Sequence, residues 1–375
     1  MSRYLFVVPP LVGHINPTVS VGAELVRRGH TVAWAGHQGT SAPLLPRDAV
    51  VFPALPDAAA ASIAAARTEW LGLRGIGVFK FFWESFLIPL GHAMLPGVAS
   101  AVESFRPDVV VADQQALAGP VAASAAGVPW VTSASTPGEL LDPLRDLPKV
   151  SSWVSDKLTS FAGFDARFSP ALVLVFSSRL LVPGSFPEHY VFIGPALGDR
   201  PCETPFPWDW LDSRRRVLVS LGTLNGAAGG RFFSSVVEAV TSLDVQVVLV
   251  SPVPVSAPQH VLVVDRVPQL SLMPHLDAVV THGGHNTVCE ALAHGLPLVV
   301  APIRDDQPLI ASSVTDCGAG IRLRYQRVRA PEIRDALERV LKDPSYAAAA
   351  GRVRDSFAAA GGAPTAADHL EAVVA

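Results

Sequence analysis

Short apolar runs of strand length alternate along this chain with stretches whose apolar residues recur at helical spacing. Tyr4-Leu5-Phe6-Val7-Val8 is the first run, too short and too β-rich for a helix. The loop Pro9-Pro10-Leu11-Val12-Gly13-His14 follows. Asn16-Pro17 then supplies an N-cap and a first-turn proline, Val19, Ala23 and Val26 continue a helical stripe, and Gly29 stops it. Thr31 to Trp34 reads as the next strand. The same grammar returns at Arg216 to Ser220, a strand that turns through Leu221-Gly222-Thr223 toward a helix near Phe232 to Thr241, with a further strand at Gln246 to Val250. Strand–helix–strand units in series specify a parallel, doubly wound α/β architecture.

Between the two openings, Pro183, Pro195, Pro201 and Pro207 punctuate a stretch poor in apolar runs, which is a linker signature. Two Rossmann-like domains are therefore expected: residues 1–197, a linker at 198–212, and residues 213–360. Residues 361–375 are set apart as a C-terminal helix with the option of returning to the first domain. The length of 375 residues suits two such domains, and the 49% hydrophobic content is ample for buried sheets.

A net charge of −4 without a basic stripe argues against nucleic acid as a partner. Cys202, Cys289 and Cys317 lie far apart and form neither a disulfide framework nor a zinc set, so a reducing cytoplasm is expected. The uncharged stretch Ala116 to Gly138 contains Pro120, Pro129 and Pro137, which favours a buried helix and strand over a membrane span. No stable membrane insertion is expected. Phe79 to Met94 is aromatic and irregular in period; it reads as a buried helix or as the wall of an apolar ligand site.

Asp277 to Thr281 predicts a buried strand and Asn286 to His294 a short helix ended by Gly295. His282-Gly283-Gly284 is then a strand-to-helix turn at the carboxyl edge of a sheet, where open α/β sheets bind ligands. Unpaired N–H groups and the helix dipole at such a turn favour phosphate. Thr287 adds a hydroxyl, and Glu290 falls on the same helical face as Asn286. Gly222-Thr223 is a second glycine turn of the same kind. Neither GxxxxGK[ST] nor GxGxxG is present. His14 follows the first strand and Asp113 follows Val109-Val110-Val111-Ala112, so parallel strands would deliver both to one carboxyl edge. An imidazole oriented by a carboxylate is a general base at neutral pH.

Arg266 to Gln307 resembles the donor-binding signature of family 1 nucleotide-sugar glycosyltransferases. The resemblance rests on Pro268-Gln269, His282-Gly283-Gly284, Asn286-Thr287, Glu290, Gly295, Pro297 and Asp306-Gln307 in order and spacing. The opening Val7 to Pro17 resembles that family's first loop. The resemblance implies the GT-B fold, in which two Rossmann-like domains face each other across a cleft. It implies that Val267 and Gln269 lie at the nucleobase and ribose, that His282, Asn286 and Thr287 meet the diphosphate with Gly222-Thr223, that Glu290 holds the ribose, and that Asp306 and Gln307 bind the transferred sugar. Arg266 stands where many members have an aromatic residue on the base, and His285 where plant members have Trp, so the base and the sugar stay open.

The same resemblance implies an inverting transfer from a UDP- or dTDP-sugar to a hydroxyl of an apolar small molecule, with His14 as base assisted by Asp113. Ser135 is implied near the donor sugar or the acceptor. The aromatic group Trp70, Phe79, Phe81, Phe82, Trp83 and Phe86 suggests an acceptor wall, with Phe82 and Trp83 singled out. No cofactor and no metal are expected: Asp305-Asp306 lacks a spaced set of further ligands. The competing readings are a nucleotide-sugar epimerase or hydrolase, and a non-catalytic helper of a partner glycosyltransferase. A dehydrogenase is disfavoured by the missing dinucleotide fingerprint.

Overall fold

The computed structural model describes residues 1–70, 73, 76–141, 143–198, 204–222 and 229–375. The chain divides into two compact units. One comprises Met1–Phe176, Gly184–Pro201 and Ala360–Ala375; the other comprises Ser177–Pro183 and Cys202–Ala359.

The first unit is built on seven parallel strands, β1 (Arg3–Val7), β2 (Thr31–Gly36), β3 (Val50–Pro53), β4 (Val109–Asp113), β5 (Trp130–Ala134), β6 (Val173–Val175) and β7 (Tyr190–Phe192). Their order is β3-β2-β1-β4-β5-β6-β7. Strands covered on both faces lose the in/out polarity alternation and read as unbroken apolar runs, which is why Val109 to Ala112 was legible. Leu5, Val7, Ala33, Val110 and Ala112 face one apolar layer, which includes residues of the helices Ile88–Phe105 and Ala118–Ala125. Tyr4, Phe6, Trp34, Val109 and Val111 face the other, against the helices Val12–Arg27 and Gly362–Val374.

The Ala116 to Gly138 stretch resolves into the helix Ala118–Ala125 and β5, as its prolines implied. Helical structure from Gly77 to Phe105 is long and apolar enough to cross a membrane by length and composition. Its Trp83, Phe86, Leu90, Met94 and Val98 are buried in the first unit's core.

The helix after β1 begins at Val12, four residues before the expected N-cap at Asn16. Pro17 lies inside it at the sixth helical position, past the first turn, so its ring withholds one i→i−4 hydrogen bond. His14 accordingly stands in a helical first turn rather than in a loop.

The second unit carries six parallel strands, β8 (Arg215–Ser220), β9 (Val245–Val250), β10 (Val261–Val264), β11 (Ala278–Thr281), β12 (Leu298–Val300) and β13 (Gly320–Arg322). Their order is β10-β9-β8-β11-β12-β13. Val217, Val219, Val247 and Val280 pack in one layer with Phe232, Phe233 and Val236 of the helix Gly230–Val240 and with Ile333 and Leu337 of the helix Ala330–Lys342. Each sheet reverses its strand order once, between β1 and β4 and between β8 and β11. Helices from the two sides diverge there and leave a crevice at the carboxyl ends of the strands.

Candidate functional site

In the first unit the reversal point holds a polar cluster. Asp113 ends β4, and its Oδ1 lies 2.9 Å from His14 Nδ1. Ser135, one residue past β5, donates from Oγ to Asp113 Oδ2 at 2.6 Å, and its oxygen is 2.8 Å from His14 Nδ1. The Gln115 backbone N–H adds a third donor to the carboxylate, at 2.9 Å from Oδ1. Asp113 is only 1% exposed, so these donors replace water around its charge. A proton placement that satisfies the network shares Nδ1–H between Asp113 Oδ1 and Ser135 Oγ while the serine hydroxyl points to Oδ2. The Nε2 lone pair is then the one that takes a proton. The sequence brought His14 and Asp113 to one edge; Ser135's direct bond to both was not legible in it.

Glu139 was missed altogether. It lies four residues beyond Ser135 in the loop that leaves β5, and its Oε2 is 3.8 Å from Arg167 Nη1. Burial lifts its carboxyl to about 7; Arg167 pulls it down, Asp165 and Asp113 push it up, and His14 pulls it down. The only sequence signal was its place as the first charged residue after the uncharged stretch Ala116 to Gly138.

The aromatic acceptor wall requires correction. Trp83 is 1% exposed and Phe86 2%, both inside the core, and Trp70 is 9% exposed. Trp70 stacks on Phe81 at 6.1 Å, and Phe82 meets Trp83 edge-on at 5.9 Å. The rings bury one another, because apolar surface is removed from water as effectively by a neighbouring ring as by a ligand. Phe82 is half-buried and packs against the same core. The π-helical winding of Phe82–Leu87 sets this cluster within the longer helix.

In the second unit the reversal point is occupied by both glycine turns. Gly222 follows β8 with φ +70°, and a Cβ on it would stand 2.7 Å from His282 Cε1. A Cβ on Gly284 would meet the same ring at 2.7 Å. These two glycines admit the imidazole of His282, where the sequence suggested room for a ligand against the backbone. Burial pulls His282 down to about 4, the Ser220 backbone partly offsets this, and Arg304 adds to it. The ring is therefore neutral at pH 7 and has one N–H to give. Gly283 turns the chain at φ +90°. Thr223 lies outside the described residues.

The helix after this turn spans His285–Ala293, one residue earlier than expected, and its N-cap Gly284 offers no side chain to the first-turn N–H groups. Asn286 and Thr287 are half-buried in that turn, and Gly295 follows the helix at φ +70°. Glu290, 2% exposed, accepts a hydrogen bond from the Gln269 amide, which also lies 3.4 Å from Thr287 Oγ1. Gln269, Thr287 and Glu290, far apart in sequence, thus form one polar group. Val267 is half-buried and Arg266 exposed in the segment leading into it.

Gln307 is largely committed to its own loop. Its Oε1 accepts from the N–H groups of Ile303 at 2.9 Å and Arg304 at 3.1 Å. Asp306 is the N-cap residue of the helix Gln307–Asp316. Among the described residues no group of three His, Cys, Asp or Glu side chains is arranged to hold a metal ion.

Comparison with known proteins agrees with these features. Residues 234–373 match the family described as erythromycin biosynthesis protein CIII-like, C-terminal domain. The chain is 30% identical to 4'-demethylrebeccamycin synthase of Lentzea aerocolonigenes over the whole of both chains. It is 28% identical to demethyllactenocin mycarosyltransferase of Streptomyces fradiae, covering all of this chain and 87% of that one. The solved glycosyltransferase of kitacinnamycin superposes with a TM-score of 0.76 at 28% identity, covering 99% of each chain. The chain belongs to the antibiotic-type glycosyltransferases of the GT-B fold, and it is a sugar-transferring enzyme of natural-product biosynthesis.

Proposed function

We propose that this enzyme moves a sugar from a UDP- or dTDP-sugar to a hydroxyl of an apolar small-molecule acceptor, with inversion at the anomeric carbon. The observation that carries this reading is the His14–Asp113–Ser135 cluster at the strand-order reversal of the first sheet. His14 Nε2 takes the acceptor's hydroxyl proton as its oxygen bonds to the anomeric carbon. The bond from that carbon to the nucleotide's phosphate oxygen breaks in the same step. Asp113 holds the imidazole in the required tautomer and stabilises the imidazolium that forms. Ser135 fixes the carboxylate's second oxygen.

The leaving diphosphate is received by the second unit. Its negative charge suits the N–H groups opening the helix His285–Ala293, with Asn286, Thr287 and the neutral His282 N–H beside them. Gln269 and Glu290 offer a donor and an acceptor to the nucleotide's ribose, and Asp306 and Gln307 face the sugar. The scheme calls for no cofactor and no divalent ion.

The test is release of UDP or dTDP from the corresponding sugar nucleotides, in chelator, with and without an aglycone panel. Release only with an aglycone supports transfer; release without one points to a hydrolase, and nucleotide binding without release in any mixture points to a helper protein. His14→Ala should lower kcat by at least about a hundredfold while the Kd for UDP or dTDP stays within about twofold. Wild-type turnover by that variant removes His14 as the base.

A further inference from the structure

One charged pair beside the His14 cluster takes no part in these steps. Arg167, in the segment that precedes β6, places Nε and Nη2 on Asp165 at 2.9 and 2.7 Å. Its guanidinium also lies over the rings of Trp83 and Phe168, 5.7 and 5.6 Å from their centroids. Held in this way, it presents Nη1 to Glu139 Oε2 at 3.8 Å. That distance is an ion pair and not a hydrogen bond. Glu139 Oε2 is buried and has no hydrogen-bond partner among the described residues. A buried carboxylate oxygen left short of its cation is costly, and a ligand that satisfies it recovers that cost on binding.

The geometry restricts the ligand. A single oxygen about 3 Å from both atoms can accept from Nη1–H and donate to Oε2. A hydroxyl does both, whereas an ether oxygen has no proton to give. Glu139 lies in the loop that leaves β5, four residues beyond Ser135, which bonds both Asp113 and His14. A group held by Glu139 is therefore near the base and can belong to the same small molecule.

We propose that Glu139 and Arg167 form a specificity-determining pair that reads a second hydroxyl on the acceptor, separate from the hydroxyl that is glycosylated. This rests on the acceptor reading given above. It places a polar selection point among aromatic side chains that otherwise only pack against one another.

The experiment compares matched acceptors that differ by one methyl group: genistein with its 4′-methyl ether biochanin A, and kaempferol with its 4′-methyl ether kaempferide. The wild-type enzyme should favour the free hydroxyl in at least one pair by about tenfold in kcat/KM, because a site built around a hydrogen bond rejects the analogue that lacks it. In Glu139→Leu that preference should fall to within about twofold, and the change should lie in KM. Glu139→Gln, which keeps an acceptor oxygen, should retain most of it. Wild-type circular dichroism and denaturant midpoints should show that both variants are folded, and their calorimetric binding of UDP and dTDP should match wild type. A tenfold preference that survives in Glu139→Leu overturns the assignment. Equal wild-type use of both members of each pair overturns it too, while leaving the acceptor reading intact. If wild type turns over none of the four and binds UDP or dTDP normally, the acceptor reading and this assignment fall together.

Discussion

At the scale of single residues, the two histidines of the candidate sites are tuned in different ways. His14 is oriented by a carboxylate and a hydroxyl; His282 is kept neutral by burial between two glycines. Because the folded state holds His282 at about 4 and the unfolded chain holds it near the ordinary imidazole value of about 6.5, the unfolded state binds the extra proton between those values. Neutral His282 therefore contributes stability that is complete above about pH 6.5 and is lost as pH falls toward 4. His282→Gln should remove that dependence. Between pH 7 and pH 4.5 the wild type should lose on the order of 2 kcal/mol more unfolding free energy than the variant, as read by denaturant titration at the two pH values. Equal losses would show that the ring protonates as readily folded as unfolded.

At the scale of elements, much of the fold was legible because interior parallel strands are apolar on both faces. β1, β4, β8 and β11 fall within a residue or so of their expected spans. What misled was local. The helix after β1 starts at Val12 with Leu11 at its N-cap, which carries no capping side chain, so Asn16-Pro17 a turn later gives the stronger start signal. The aromatic segment announced apolar surface but not what would cover it, and the answer was its own rings. Ser135 and Glu139 sit in a loop with no periodic pattern, so their placement follows from tertiary structure alone.

The turn into the helix His285–Ala293 yields a prediction at this scale. Gly284 has an ordinary backbone conformation, φ −62°, so alanine meets no torsional obstacle there, only the His282 ring at 2.7 Å. Gly284→Ala should displace that imidazole and weaken UDP or dTDP binding by about tenfold or more, with little change in circular dichroism. Unaltered calorimetric binding would show that the ring's position does not matter to the nucleotide.

At the scale of the molecule, one topology is used twice, and each reversal of strand order carries one polar site. The first unit is completed by the helix Gly362–Val374. Its Ala366, Ala367 and Leu370 are fully buried beside Tyr4, Phe6 and Val109. Its rim is tied by Arg28 to Asp368 at 2.6 Å and to Glu371 at 2.8 Å, with His30 2.7 Å from the same Glu371. Such rim pairs contribute little, and the apolar contact dominates. Leu370→Ala should therefore cost about 2–5 kcal/mol, whereas Asp368→Ala should cost less than about 1 kcal/mol. Denaturant unfolding of the two variants measures both; a reversed order would make the ion pairs the true brace.

That closing helix also fixes an order of events during synthesis. The strands nearest the amino terminus leave the ribosome long before Gly362–Val374, which supplies part of the layer that shields Tyr4 and Phe6. The first unit therefore waits, with part of one apolar flank open, until the residues of that helix have been made.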